Sequence, residues 1–198
     1  MRAAAAVPLL ALLAGPGLGG CAGDSTTVTI VTPACSQGDE GAAGNGVVLM
    51  AQSVPSAAWV PCLRTALPLG WTFHHLDART GVSRFWLDSD RDGDQAIEVR
   101  LEQTCDTAGA TEIPSDRDEM DRLERVTMTT PHFEGERYYV FDGGCITFVF
   151  RLGGESRGEP LALVTQAVGA VSREDLIAQV REETDGRLSL YPAGEANG

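Results

Sequence analysis

Between residues 96 and 101 the chain alternates without a break: Ala96, Glu98 and Arg100 fall on one side, Ile97, Val99 and Leu101 on the other. A period of two describes a strand with one face turned to a core. Strand signals recur over 71–76, 84–87, 96–104, 125–129, 137–141 and 145–152, with Asp, Gly, Pro and Thr punctuating the gaps. Gly143 and Gly144 turn the chain into the strand that begins at Cys145. A further short strand is expected over 26–32 and a last one over 188–191.

Helical spacing appears in three places. Residues 56–67 follow a possible cap at Ser56, but Pro61 shortens or kinks any helix there. Pro160 suits the first turn of a helix over 161–168. Ser172 and Asp175 form a capping-box-like start, and Leu176, Ile177 and Val180 then give an apolar stripe that ends before Gly186. The acidic stretch 112–124 reads as a loop or one short helix. The expected class is α+β: an antiparallel sheet of about five or six strands, with two or three helices packed on one face.

The first residues follow a different pattern. Arg2 is the only charge before Asp24, an apolar run follows it, and Gly15, Pro16 and Gly17 break that run. The run is shorter than the roughly 20 residues that span a bilayer as a helix. It closes on Leu18-Gly19-Gly20-Cys21. An aliphatic residue, two small residues and a cysteine resemble the lipobox of bacterial lipoproteins, and the resemblance is confined to the signal region. It implies cleavage before Cys21, lipidation of the Cys21 thiol, and a chain held at the extracytoplasmic face of the cell membrane without crossing it. Residues 1–20 would then be signal peptide and 21–46 a Gly-, Ser- and Thr-rich tether. Residues 47–192 would form a single globular domain, and 193–198 a disordered tail.

Assigning Cys21 to lipid leaves Cys35, Cys62, Cys105 and Cys145. An exported chain meets an oxidising compartment, so two disulfides are expected. Of the three possible pairings, Cys35–Cys62 and Cys105–Cys145 are favoured. The first clips the N-terminal segment to the domain, and the second joins the end of one strand to the start of another. The formal charge of −13 disfavours nucleic acid as a partner.

Candidate chemistry is sparse. Asp88, Asp90, Asp92 and Asp94 alternate through a Gly-containing turn, a pattern that can converge on calcium. The first places match an EF-hand loop. The eighth and twelfth, Gln95 and Val99, do not, and the flanks read as strands, so an acidic hairpin turn is preferred and calcium is the alternative. Ser156 sits in a Gly-x-Ser-x-Gly match, but no histidine follows it, which argues against a hydrolase elbow. His74 and His75 are neighbours on one strand and should point to opposite faces; His132 stands alone after Pro131. Trp59, Trp71, Trp86, Tyr138 and Tyr139 suit sheet and core packing better than a pocket. No catalytic constellation is legible. The expected role is non-enzymatic binding or accessory work in the envelope, toward another envelope protein or a small ligand.

Overall fold

The computed structural model describes residues 31–35, 46–64, 67–153 and 158–194. The lipobox with Cys21, most of the tether and of the strand expected over 26–32, the Ser156 loop and residues 195–198 lie outside that set. The described chain runs α1 (Gly46–Ser53), β1 (Trp59–Leu63), β2 (Trp71–Arg79), β3 (Val82–Ser89), β4 (Gly93–Glu102), β5 (Thr111–Ile113), β6 (Asp121–Met128), β7 (Phe133–Phe141), β8 (Gly144–Leu152), α2 (Gly158–Ala167), β9 (Val168–Ser172) and α3 (Arg173–Glu183). Seven strands form one antiparallel sheet in the order β2-β3-β4-β8-β7-β6-β5, and β1 and β9 form a separate antiparallel ribbon.

The alternation in β4 explains how the sheet packs. Ile97, Val99 and Leu101 are wholly buried. Their register partners are Leu87, Phe85 and Ser83 on β3, and Phe150, Phe148 and Ile146 on β8. This inner face joins Val47 and Met50 of α1, Leu163 and Val164 of α2, Leu176 and Val180 of α3, and Val60 of β1 in one hydrophobic cluster. Buried apolar area of this kind drives the fold at roughly 25 cal/mol per Å².

Two disulfides close the structure. Cys35 pairs with Cys62 (Cα–Cα 4.9 Å) and Cys105 with Cys145 (Cα–Cα 5.9 Å). The first bond brings residues 33–35 alongside β1, where Leu63 donates to the Pro33 carbonyl at 2.7 Å and Cys35 donates to the Leu63 carbonyl at 2.9 Å.

Several expectations need correction. The described residues hold nine strands rather than five or six. The described part of 56–67 does not form a helix: it contains β1, in which Pro61 pairs with Ala170. Proline is tolerated in so short a ribbon because it removes a ladder hydrogen bond only at a sheet margin. The supposed loop over 112–124 supplies β5 and the first half of β6, where Ile113 pairs with Arg122 and Glu112 with Leu123. Its charged side chains hide the alternation. Residues 188–191 form no strand, although Leu190 is buried against the core. Gly46–Ser53 is a helix where the sequence reading expected none.

The capping reading of α3 matches the geometry: the Ser172 side chain accepts from the Asp175 backbone N–H at 3.0 Å. Glu98 differs from the simple half-buried pattern. It lies on the outer face of β4, yet it is only 3 % exposed. Arg100 of the same strand donates to its Oε1 through Nε (3.0 Å) and Nη2 (2.8 Å). Arg84 of β3 and Arg151 of β8 approach within 3.8 and 3.7 Å. Among the described residues no helix is long and apolar enough to cross a membrane.

Candidate functional site

The acidic loop is the first place to look for chemistry. Asp88, one residue before the end of β3, has both oxygens engaged: Oδ1 accepts from the Gln95 backbone N–H at 2.7 Å, and Oδ2 meets His74 Nδ1 at 2.7 Å. Asp92 accepts from Ser89 Oγ at 3.2 Å, and Ser89 Oγ in turn accepts from the Arg91 and Asp92 amides. Asp90 packs against Gly70, whose φ of +85° suits glycine; a Cβ there would fall 2.5 Å from the Asp90 carboxylate. Asp94 is exposed at the start of β4. Asp88 and Asp92 therefore hold the β3–β4 turn. Among the described residues no group of three or more His, Cys, Asp or Glu side chains is placed to hold a metal together.

The histidines are also accounted for. A bulge between Phe73 and Leu76 shifts the β2–β3 register, so the His74 and His75 rings lie 4.7 Å apart rather than on opposite faces. His75 stacks on Trp86 with ring centroids 4.2 Å apart. Burial, with the neighbouring His74 charge, lowers the His75 pKa. His74 is half-exposed beside Asp88, and His132 is exposed.

The densest unexplained chemistry lies elsewhere, on the inner face of β6 and β7 and the segment before β6. Strand register sets Glu124 opposite Arg137 and Arg122 opposite Tyr139. Glu124 Oε1 accepts from Arg137 Nε at 2.6 Å and from Arg122 Nη2 at 2.7 Å. Arg122 Nη1 reaches Asp116 at 3.3 Å, and the same Asp116 oxygen accepts from the Tyr139 hydroxyl at 2.7 Å. Arg117 lies over the Tyr139 ring, 4.4 Å from its centroid, and donates to the Val168 carbonyl of β9 at 2.7 Å. The cluster thus spans the junction between the large sheet and the ribbon.

Burial raises the Tyr139 pKa, and the hydrogen bond to Asp116 adds to that rise. Burial pushes Glu124 up, but hydrogen bonds and charge from Arg122 and Arg137 outweigh it and hold the carboxylate below its usual range. Burial lowers the Arg117 pKa, and the positive charge of Arg64 works in the same direction. Three guanidinium nitrogens here are buried without a hydrogen-bond partner: Arg117 Nη1, Arg122 Nε and Arg137 Nη1. No known protein-family model, no curated protein and no solved structure matches this chain.

Two clefts flank these elements. One of about 440 Å³ is polar and is lined by Glu112, Ser115, Asp121 and Arg122. The other, of about 480 Å³, is lined by Trp59, Ile177, Glu119 and Glu174, with Arg173 beneath. The Arg173 guanidinium is committed to backbone carbonyls, so it offers that cleft little free charge.

Sequence reasoning missed the arginine cluster. Its members are scattered over 117–139, and Arg117 and Arg122 fall in the acidic stretch 112–124 that reads as a loop or one short helix. The available signal was Arg122-x-Glu124, which places both side chains on one face of a strand.

Proposed function

We propose that this protein is a lipoprotein anchored through Cys21 at the extracytoplasmic face of a bacterial cell membrane. Its disulfide-closed, β-rich domain serves there as a non-enzymatic binding or accessory module. The supporting observation is the use of the cysteines. The two disulfides take Cys35, Cys62, Cys105 and Cys145, and the one remaining cysteine in the sequence is Cys21. It is the residue that the lipobox-like Leu18–Cys21 sequence singles out. Paired cysteines accord with an oxidising compartment outside the cytoplasm.

The anchor is tested by mass spectrometry of the mature N-terminus and by fractionation. A diacylglyceryl-modified Cys21, with Cys21→Ser releasing the chain from membranes, is the expected result. An unmodified Cys21 or cleavage at another position overturns it.

A further inference from the structure

We infer that the cleft between β1, the first turn of α3 and the segment before β6 is a receptor for a small organic cation, an ammonium group carried on an apolar body. This rests on reading the domain as a binding module and names the ligand class of that module.

The cleft holds about 480 Å³, a size that suits a small molecule, and the exposed Glu119 and Glu174 stand at its margin. Strand register sets Trp59 of β1 opposite Ser172, the cap of α3, so the indole and the first turn of α3 line one space. Ile177 and Pro192 complete the apolar lining. Trp59 and Ile177 are half-buried and packed against the core, which fixes that wall. Trp86, by contrast, already stacks on His75 and lies under Arg84. Trp59 has no aromatic or guanidinium partner among the described residues.

Charge selects the ligand. Two of the polar side chains in the lining are already used. The Ser172 hydroxyl is shared between the Asp175 carboxylate and amide. Arg173 is committed to the carbonyls of Ala51, Val54 and Ala57. The Glu119 and Glu174 carboxylates have no ion-pair or hydrogen-bond partner among the described residues. With Arg173 counted in full, two carboxylates against one guanidinium leave the lining negative, and the formal −13 of the chain adds to that field.

An anion is repelled from such a cleft. A neutral apolar molecule meets Trp59 and Ile177 but gains nothing from the glutamates. A cation on an apolar body uses both: tryptophan offers the best ring face for a cation, and each carboxylate makes a charge-assisted contact. Glu174 also suits the N-terminal turn of α3, where negative charge is favoured. That role leaves its carboxylate free to meet a ligand.

An NMR titration of the mature full-length protein in neutral detergent tests this. The probes are benzylamine, benzyltrimethylammonium, benzyl alcohol and benzoate. Both cations should give saturable shifts at the Trp59 indole N–H and at the amides of Glu119, Glu174 and Ile177. They should bind about threefold or more tightly than benzyl alcohol, and benzoate should bind more weakly still. Trp59→Leu should weaken the cations by about threefold to thirtyfold. The double variant Glu119→Gln/Glu174→Gln alters only exposed side chains, so its fold is kept. It should bring the cations close to benzyl alcohol and remove the salt dependence of their binding. Glutamates that serve α3 or solubility alone give no reason for that loss of charge preference. Tighter binding of the primary amine would make carboxylate hydrogen bonds the main contact, and the reverse order would make it the Trp59 ring.

The proposal is overturned if neither cation gives saturable shifts at the cleft, or if benzyl alcohol or benzoate binds as tightly. A preference for cations that persists unchanged in folded Glu119→Gln/Glu174→Gln overturns it as well. A Cys21-modified, membrane-bound protein that takes up no cation would sink this inference and leave the anchor standing; an unmodified Cys21 in a chain that binds both cations would do the reverse.

Discussion

Arg173 Nη2 donates to the Ala51 carbonyl at 2.7 Å, joining the first residue of α3 to the last turn of α1. The same nitrogen reaches the Val54 carbonyl at 2.8 Å, and Nε reaches that of Ala57 at 2.8 Å. The last carbonyls of a helix lack partners within it, and a cation there also meets the negative end of the helix dipole. One side chain, 3 % exposed, thus satisfies acceptors along the turn that leads from α1 to β1.

Arg173→Met should therefore destabilise the domain by about 3 kcal/mol, because several carbonyls lose their donor together. Urea unfolding followed by tryptophan fluorescence measures it. A loss below about 0.5 kcal/mol would mean that water satisfies these carbonyls without the arginine.

Acid should unfold the protein through its arginine-bound carboxylates. Burial raises Glu136, but hydrogen bonds from Tyr138 and Arg125 more than reverse that, so its pKa is lowered in the folded protein; Glu124 and Asp116 are lowered in the same sense. The unfolded chain holds these groups near about 4.3 for Glu and 3.9 for Asp. A depressed folded pKa contributes stability that is present above the unfolded value and is lost as pH falls through the folded one. The urea midpoint should be flat from neutrality to about pH 5 and should fall steeply below about pH 4. The double variant Glu124→Gln/Glu136→Gln should show a shallower fall. An acid limb of unchanged slope in that variant would assign the loss to other groups.

The β3–β4 turn offers a smaller, more local test. Asp88 holds the amide of Gln95, a non-glycine residue in the left-handed region at φ 53°. Asp88→Ala removes that acceptor and the contact to His74, which should cost about 1–2 kcal/mol. Calcium would have to displace both contacts. A bound ion at 100 times its Kd adds about 2.7 kcal/mol, several degrees in Tm. The melting temperature in millimolar calcium should therefore stay where it is in chelator. A rise of several degrees that Asp88→Asn abolishes would restore the turn as a calcium site.

These features were unevenly legible in the sequence. The Ile97–Val99–Leu101 face could be read because every second residue there is apolar. The Ser172 cap could be read because a single side chain and a nearby amide make it. β1 was hidden because Ser56 and the spacing after it imitate a short helix, whereas the Cys62 disulfide and pairing with β9 hold it extended. Glu98 and Arg137 were hidden for the opposite reason: charged residues suggest solvent, and only the register of neighbouring strands shows that other arginines or carboxylates bury them. Local patterns carried local geometry, and the arginine cluster is a product of pairings distant in sequence.

The Cys105–Cys145 bond should matter beyond the entropy it removes. It closes a separation of 40 residues, which constrains the unfolded chain by about 4 kcal/mol on the loop-entropy estimate. In the folded protein it also holds the segment after β4 against the outer face of the sheet. There Arg125 donates to the Ala108 carbonyl at 2.7 Å, and its guanidinium lies 5.5 Å from the Tyr138 ring centroid. Tyr138, 2 % exposed, donates to Glu136 at 2.7 Å in the same patch. Replacing both cysteines, Cys105→Ala with Cys145→Ala, should lower stability by about 4 kcal/mol in equilibrium unfolding. It should also raise hydrogen exchange in residues 105–110 and expose Tyr138 to chemical modification. The two readouts separate the effects. A stability loss with Tyr138 still protected makes the bond a constraint on the unfolded chain alone. A loss under about 1 kcal/mol with the segment still in place would show that Arg125 and the sheet hold it without the disulfide.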